Sequence, residues 1–484
     1  MIYRSGGGTM TGNKWLLLLL FIGSQARASL LPSASGGGSM ELGLVRGHSW
    51  SVEGDGGPKL ELTREVLRHD VNRYKMIISA KHRRESAPMT RRKAWEEDYL
   101  NGNAWMEAPM TAGRDYGIGE YVVQVKVGTP PKKFWLIADT GSDLTWMRCL
   151  YDHQKPRRGH RPGVLLPAKS STFATIPCSS HTCKVDLMNL FSLSRCPTPS
   201  SPCAYDFRYT DGSFAKGIFA YETISVDLTS SGPKKLERML IGCSEIIKGQ
   251  TLQPVDGVLG LANSEYSFTA RAAREFGGKF SYCLVDHLSH KNLSNHLTFG
   301  SRPQSRSPLL GDMQYTKLVL GRPLNPLYGV DILGISVGGT ILGIPVQVWA
   351  PNSGGGTVID SGTSLTLLAA PAYRLIFGAL EASLSRYKKV DEKLSPLKYC
   401  FDSTGFNESL IPRLGIHFKD GAVFEPQVKS YVIDAAPGIK CLGLLSVSWP
   451  GVSVIGNILQ QNHLWEFNLA KGKLGFAPSS CIYI

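Results

Sequence analysis

Phe134-Trp135-Leu136-Ile137-Ala138-Asp139-Thr140-Gly141-Ser142 is an apolar run that ends in an acid and a glycine turn. Such a run delivers a carboxylate from a buried strand to the rim of a sheet. After 221 residues the same order returns as Gly356-Thr357-Val358-Ile359-Asp360-Ser361-Gly362-Thr363. A single Asp-Thr-Gly says little, since Asp and Gly are ordinary turn residues. The matched context says more: each half later holds an apolar-apolar-Gly segment, Val258-Leu259-Gly260-Leu261 and Val454-Ile455-Gly456-Asn457. The pattern predicts a duplicated lobe that contributes one carboxylate from each copy.

The chain around these two stretches is long enough for a large core. It has 484 residues, 42% of them hydrophobic, which excludes disorder throughout and suggests two to three domains. A formal charge of +14 favours anionic partners or surfaces, although a basic protein without such a partner has the same balance. All ten cysteines lie between Cys149 and Cys481 without a CxxC ribbon, so they read as disulfides of an oxidising compartment with the pairing left open.

Residues 1–28 read as a secretory signal peptide. Lys14 precedes the apolar run Trp15 to Gly23, which is too short to span a bilayer, and Ala26-Arg27-Ala28 suits a cleavage site. The absence of acids before Glu41 also resembles an organelle transit peptide. Residues 29–112 are polar, with basic clusters at Lys81-His82-Arg83-Arg84 and Arg91-Arg92-Lys93, and read as a pro-segment whose cations cover acidic groups of the domain behind it. From Tyr121 onwards, short alternating strands broken by Gly, Pro, Asn and Asp predict an all-β sandwich or barrel. Beyond Tyr121 the helical candidates are Ser267 to Phe276 and Pro371 to Lys388, the charged stretch Leu60 to Arg84 ahead of it could also be helical, and no membrane span follows the signal.

Phe207-Arg208-Tyr209-Thr210-Asp211-Gly212-Ser213 alternates into an Asp-Gly turn and reads as a hairpin tip. With the two Asp loops, it makes residues 113 to 481 resemble the pepsin-like aspartic proteases. The resemblance implies an all-β, bilobal fold with an N-terminal lobe at 113–305, a C-terminal lobe at 306–484 and only a few short helices. It implies that Asp139 and Asp360 are the catalytic pair and that Thr140 and Ser361 lock their loops together. Ser142 and Thr363, with Gly141 and Gly362, would support the carboxylates. Tyr209 would be the flap residue that closes over substrate, with Trp146 as the partner of its hydroxyl; Thr210 stands where the family usually has Gly.

Cys149, Cys178, Cys183, Cys196 and Cys203 crowd the segment before the hairpin and resemble the atypical, nepenthesin-like plant branch, as do Phe280 to Leu284, Tyr399 to Phe401 and Gly456 to Asn462. Two further cysteines that nepenthesins carry just after Cys149 are absent here. The family also closes a loop in the second lobe, which implies a Cys400–Cys441 bond.

The expectation is therefore a secreted aspartic endopeptidase, made as a zymogen and active at acidic pH. It would be monomeric, inhibited by pepstatin-like compounds, directed at protein or peptide substrates and independent of metal or cofactor. The apoplast or vacuole is the expected address and the chloroplast the alternative. Two other readings are a catalytically silent inhibitor or binding protein on the same fold and a plastid nucleoid DNA-binding protease. Lys155 to Arg161 could serve nucleic acid, but a solvated loop is the plainer reading because no aromatics interleave the charges. His287, His290 and His296 are too irregularly spaced for a metal site. Asn292 and Asn407 are glycan acceptors in a secreted chain.

Overall fold

The computed structural model describes residues 70, 71, 74, 105–113, 118–150, 163–188, 193, 196–208, 214–228, 232–249, 252, 254–288, 295–301, 309–390 and 397–482. The signal peptide, the two pro-segment basic clusters, Lys155 to Arg161, Tyr209, His290 and Asn292 lie outside them.

The alternation of Val123, Val125 and Val127 with Gln124 and Lys126 gives a strand, Tyr121–Val127, that buries the valines on one side. The chain reverses at Gly128, whose φ of 89° is the left-handed conformation that glycine adopts without strain. It returns as Lys132–Asp139, antiparallel to the first strand from Val122↔Ile137 to Val127↔Lys132. A long hairpin, Phe214–Leu228 with Gly232–Lys248, completes much of this lobe.

The second lobe repeats the plan. Strand Tyr328–Val330 pairs antiparallel with Thr357–Ile359, as Tyr121–Val127 does with Lys132–Asp139. A four-stranded sheet and a three-stranded sheet flank it. The fold is thus mostly β and bilobal, with two α-helices described from end to end, Phe268–Phe276 and Ala370–Leu384. Ser267 caps the first by accepting from the Ala270 N–H, and Pro371 suits the first turn of the second.

Six antiparallel strands join the lobes, in the order Gln314–Val319, Lys473–Pro478, His463–Asn468, Lys279–Cys283, Asn295–Phe299 and Met106–Ala112. The central pair brings together one strand from each half, Lys279–Cys283 and His463–Asn468. Aromatic rings fill the face beneath them: Phe280 stacks on Phe467 at 4.6 Å and on Phe299 at 5.4 Å, and Tyr328 meets Phe467 edge-on at 4.9 Å. Met106–Ala112 lies within the span 29–112 read as pro-segment, yet its Met106 and Met110 are buried and its backbone pairs with both Asn295–Phe299 and Tyr121–Val127. The described strands therefore begin at Met106 rather than after Gly113, because this segment fills an edge of the joining sheet.

Five disulfides close the chain, Cys149–Cys243, Cys178–Cys196, Cys183–Cys203, Cys283–Cys481 and Cys400–Cys441. The last joins directly opposed residues of two paired strands. No helix among the described residues is long and apolar enough to cross a membrane.

Phe280 touches rings from both halves, so Phe280→Ala should remove about 3–5 kcal/mol of stability. A lower guanidinium midpoint at unchanged slope would report this; a loss below about 1 kcal/mol would mean that the joining sheet is not a shared core.

Candidate active site

Both aspartates emerge where a strand is sandwiched by neighbours of opposite direction. Lys132–Asp139 has the antiparallel Tyr121–Val127 on one side and the parallel Gly257–Gly260 on the other, with Asp139 opposite Gly260. In the second lobe, Thr357–Ile359 has Tyr328–Val330 and the parallel Ser453–Ile455, and the Asp360 N–H donates to the Ile455 carbonyl at 3.1 Å. The apolar-apolar-Gly segments that repeat in the sequence are these parallel partners. Their glycines are needed for contact: a Cβ on Gly260 would lie 2.7 Å from the Asp143 carbonyl oxygen, and one on Gly456 would lie 2.2 Å from that of Leu365.

The loops after the two strands bond to each other. The Thr140 N–H donates to Ser361 Oγ at 3.1 Å, and the Ser361 N–H donates to Thr140 Oγ1 at 2.8 Å. Each hydroxyl then donates across to a backbone carbonyl, Ser361 to Ala138 at 2.8 Å and Thr140 to Ile359 at 3.5 Å. A hydroxyl can accept and donate at once, so two small side chains make four cross-lobe bonds. Alanine at either position would leave a buried N–H without its acceptor, which costs about 1–3 kcal/mol.

Within each loop the acid is held in the same way. Asp139 accepts from the Gly141 N–H at 2.8 Å and from Ser142 Oγ at 2.5 Å. Asp360 accepts from the Gly362 N–H at 3.0 Å and from Thr363 Oγ1 at 2.5 Å. Both acids are almost wholly buried, at 1% and 0% exposure. A carboxylate offers about four acceptor sites, so the loop donors fix its plane without saturating it.

The second loop has further braces that sequence reasoning assigned no role. Asn457 Nδ2 donates to the Ser361 carbonyl at 3.0 Å, and Gln460 Nε2 donates to the carbonyls of Asp360 at 3.2 Å and Ile455 at 2.9 Å. Tyr282 donates to Gln460 Oε1 at 2.6 Å. Its phenol is held well above its ordinary pKa, first by burial and then by the nearby Asp360 charge, so it serves as a neutral donor. The polar Asn-x-x-Gln-Gln run after Gly456 was the available signal. On the first lobe the counterpart comes from outside: Tyr328 of the second lobe donates to the Leu261 carbonyl at 2.6 Å.

Trp146 is buried between Gly232–Lys248 and Gly257–Gly260, in a cluster with Tyr205 and Phe219. The hairpin above pairs Arg208 with Phe214, leaving Tyr209 outside the described residues. Asn407 is exposed, and its side-chain oxygen accepts from Ser409. His287 bonds to Gln461, and His296 lies 4.0 Å from Glu107, so these two histidines do not converge. The sulfurs of Cys178, Cys183 and Cys196 do converge, but all three are in disulfides and no thiolate is left for a metal.

Gly456→Ala should displace the second loop, because its new methyl meets backbone atoms of Ser364 and Leu365. The exposed Gly378→Ala, which meets nothing within 4 Å in the helix Ala370–Leu384, serves as the control. Thermal melts should show the first clearly destabilised and the second raised by about 0.5–1 kcal/mol.

Residues 121–301 match the family described as xylanase inhibitor N-terminal, and residues 327–478 match xylanase inhibitor C-terminal. The chain is 33% identical over 380 residues to aspartyl protease family protein 2 of Arabidopsis thaliana, covering 77% of this chain and 73% of that protein. It is 30% identical over 434 residues to aspartic proteinase nepenthesin-2 of Nepenthes gracilis, covering 88% and 90%. Among solved structures, edgp superposes with a TM-score of 0.63 at 17% identity, over 79% of this chain and 98% of that one. Basic 7S globulin from soybean gives 0.60 at 18%, over 78% and 96%. The last two likenesses concern the fold alone. A duplicated, interlocked aspartate loop in a chain with these relatives has one family reading: the protein belongs to the pepsin-like aspartic proteases, in their nepenthesin-like plant branch, and its class is that of aspartic endopeptidases.

Proposed function

We propose that this chain hydrolyses peptide bonds in protein substrates by a water molecule activated between Asp139 and Asp360. The observation that carries the reading is the reciprocal bonding of Thr140 and Ser361, which holds two carboxyl-bearing loops together across the lobes. In this reaction one carboxyl acts as general base and the other as general acid. The ionised member takes a proton from water as its oxygen attacks the peptide carbonyl carbon. The protonated member donates towards the carbonyl oxygen, giving a tetrahedral gem-diol. Collapse of that species returns a proton to the leaving nitrogen. Gly141, Ser142, Gly362 and Thr363 keep both carboxyl planes fixed through the cycle, so little reorganisation is needed.

The same reading extends to biology that the site does not reach. An N-terminal stretch that reads as a signal peptide, ten cysteines in five bonds and Asn407 on the surface support secretion to the apoplast or vacuole, with the chloroplast as the alternative. The polar stretch ahead of the strands supports synthesis as a zymogen. A second reading, a silent inhibitor or binding protein, is favoured by the matched family's description as xylanase inhibitor; the complete set of dyad contacts favours catalysis.

Asp139→Asn and Asp360→Asn are nearly isosteric and should each lower kcat/KM on casein by about 10³-fold or more while leaving the melting temperature close to wild type. A pepstatin-like inhibitor should block the wild type. Retention of most activity in either variant would reassign the dyad; an inactive wild type would favour the inhibitor reading.

General acid–base work by two groups predicts a bell-shaped dependence of kcat/KM on pH, since raising pH removes the proton of the general acid and lowering it protonates the general base. A flat kcat/KM profile would be incompatible with that mechanism; sequencing the purified protein's N-terminus checks processing and compartment.

A further inference from the structure

One buried carboxylate outside both aspartate loops nevertheless touches one of them. Asp70 belongs to the span ahead of the first strand; it is helical, as are Val71 and Tyr74, and it is fully buried. Its Oδ1 accepts from the backbone N–H of Ser364 at 2.7 Å, and its Oδ2 accepts from that of Leu365 at 2.5 Å. These two amides directly follow Asp360-Ser361-Gly362-Thr363. Two oxygens on two successive N–H groups form a bidentate, charge-assisted contact.

Tyr74 lies four residues after Asp70, on the same side of a helical turn. It is 7% exposed, within an apolar cluster that includes Leu324, Leu327, Val358, Leu365, Val452 and Val454. Val358 is two residues before Asp360, and Val454 is its partner on the parallel strand. The tyrosine hydroxyl reaches the 448–451 turn, where a Cβ on Gly451 would lie 2.4 Å from it. Asp70 and Tyr74 therefore contact both the loop leaving Asp360 and the strand pair that delivers it.

We infer that Asp70 and Tyr74 are a ligand in cis of the second aspartate loop, an acidic side chain on the Ser364 and Leu365 amides and an aromatic ring in the neighbouring apolar cluster. The inference rests on reading the dyad as catalytic, since it treats this loop as a wall of the substrate cleft. A peptide is a row of carbonyl acceptors, and adjacent N–H donors close to Asp360 are where such a row would bond to the second lobe. Asp70 holds them instead. The chemistry is opposite to that expected of Lys81 to Arg84 and Arg91 to Lys93: an anion on backbone donors, not cations on the acids. The ligand class is accordingly a helical turn with an acid and, four residues on, an aromatic.

The test uses the full chain near neutral pH, confirmed uncleaved by intact mass, as wild type, Asp70→Ala, Asp70→Asn and Tyr74→Ala. Hydrogen exchange over the peptide holding Ser364 and Leu365 reads the contact independently of activity. It should quicken by about tenfold or more in Asp70→Ala and by less in Asp70→Asn, which keeps one carbonyl acceptor. Hydrolysis of a quenched peptide reads the consequence, and uncleaved Asp70→Ala and Tyr74→Ala should exceed uncleaved wild type by about tenfold. The near-isosteric Asp70→Asn guards against misfolding and should lie between. Unchanged exchange in Asp70→Ala would overturn the contact. Faster exchange with no gain in hydrolysis, when wild type freed of its arm is active, would overturn the ligand role. Should no form hydrolyse peptide, the catalytic reading fails, and the exchange arm still decides whether this turn is bound.

Discussion

The structure depends on the bonds that tie two loops from distant points of the chain to each other, each loop carrying a buried carboxyl. Thr140 and Ser361 supply them as backbone N–H to hydroxyl bonds in both directions. Because each hydroxyl also donates to the opposite lobe's backbone, neither loop can rotate without breaking bonds in the other. The position of either acid is thus a property of the pair.

Much of the surrounding fold serves that arrangement. Each acid sits at the end of a strand with a parallel neighbour, and parallel pairing places the ends of both strands at the same rim. A glycine on that neighbour permits the loop to pass over it, and the joining sheet sets the separation of the lobes through a stack of rings around Phe280 and Phe467. The two halves are not equivalent in detail. The second loop carries an amide and phenol network from Asn457, Gln460 and Tyr282, whereas the first leans on Tyr328 from the other lobe. Asp70 adds a further contact to the second loop alone, so the asymmetry extends to the arm.

The outer contacts of the two loops thus differ although the loops themselves repeat. Asp70 engages the second loop, through the amides of Ser364 and Leu365.

Local pattern determined a great deal by itself. The repeat of apolar run, acid, hydroxyl, glycine and hydroxyl was sufficient to place both acids and their supporting donors, because strand-to-loop geometry is a short-range consequence of side-chain alternation and glycine turns. The strand at Tyr121–Val127 and the helix capped by Ser267 were legible for the same reason. Only the tertiary structure decided the long-range contacts: the joining of Met106–Ala112 to the sheet, the brace from Gln460 to Asp360, and the seat of Asp70 beneath Ser364. Asp70 stands in a charged stretch, Leu60 to Arg84, that could be read as helical but in which nothing marked this acid, and its partners are backbone N–H groups 294 residues or more away. Backbone donors are the same for every residue type, so no side-chain pattern records which of them will lack a partner until the chain has folded.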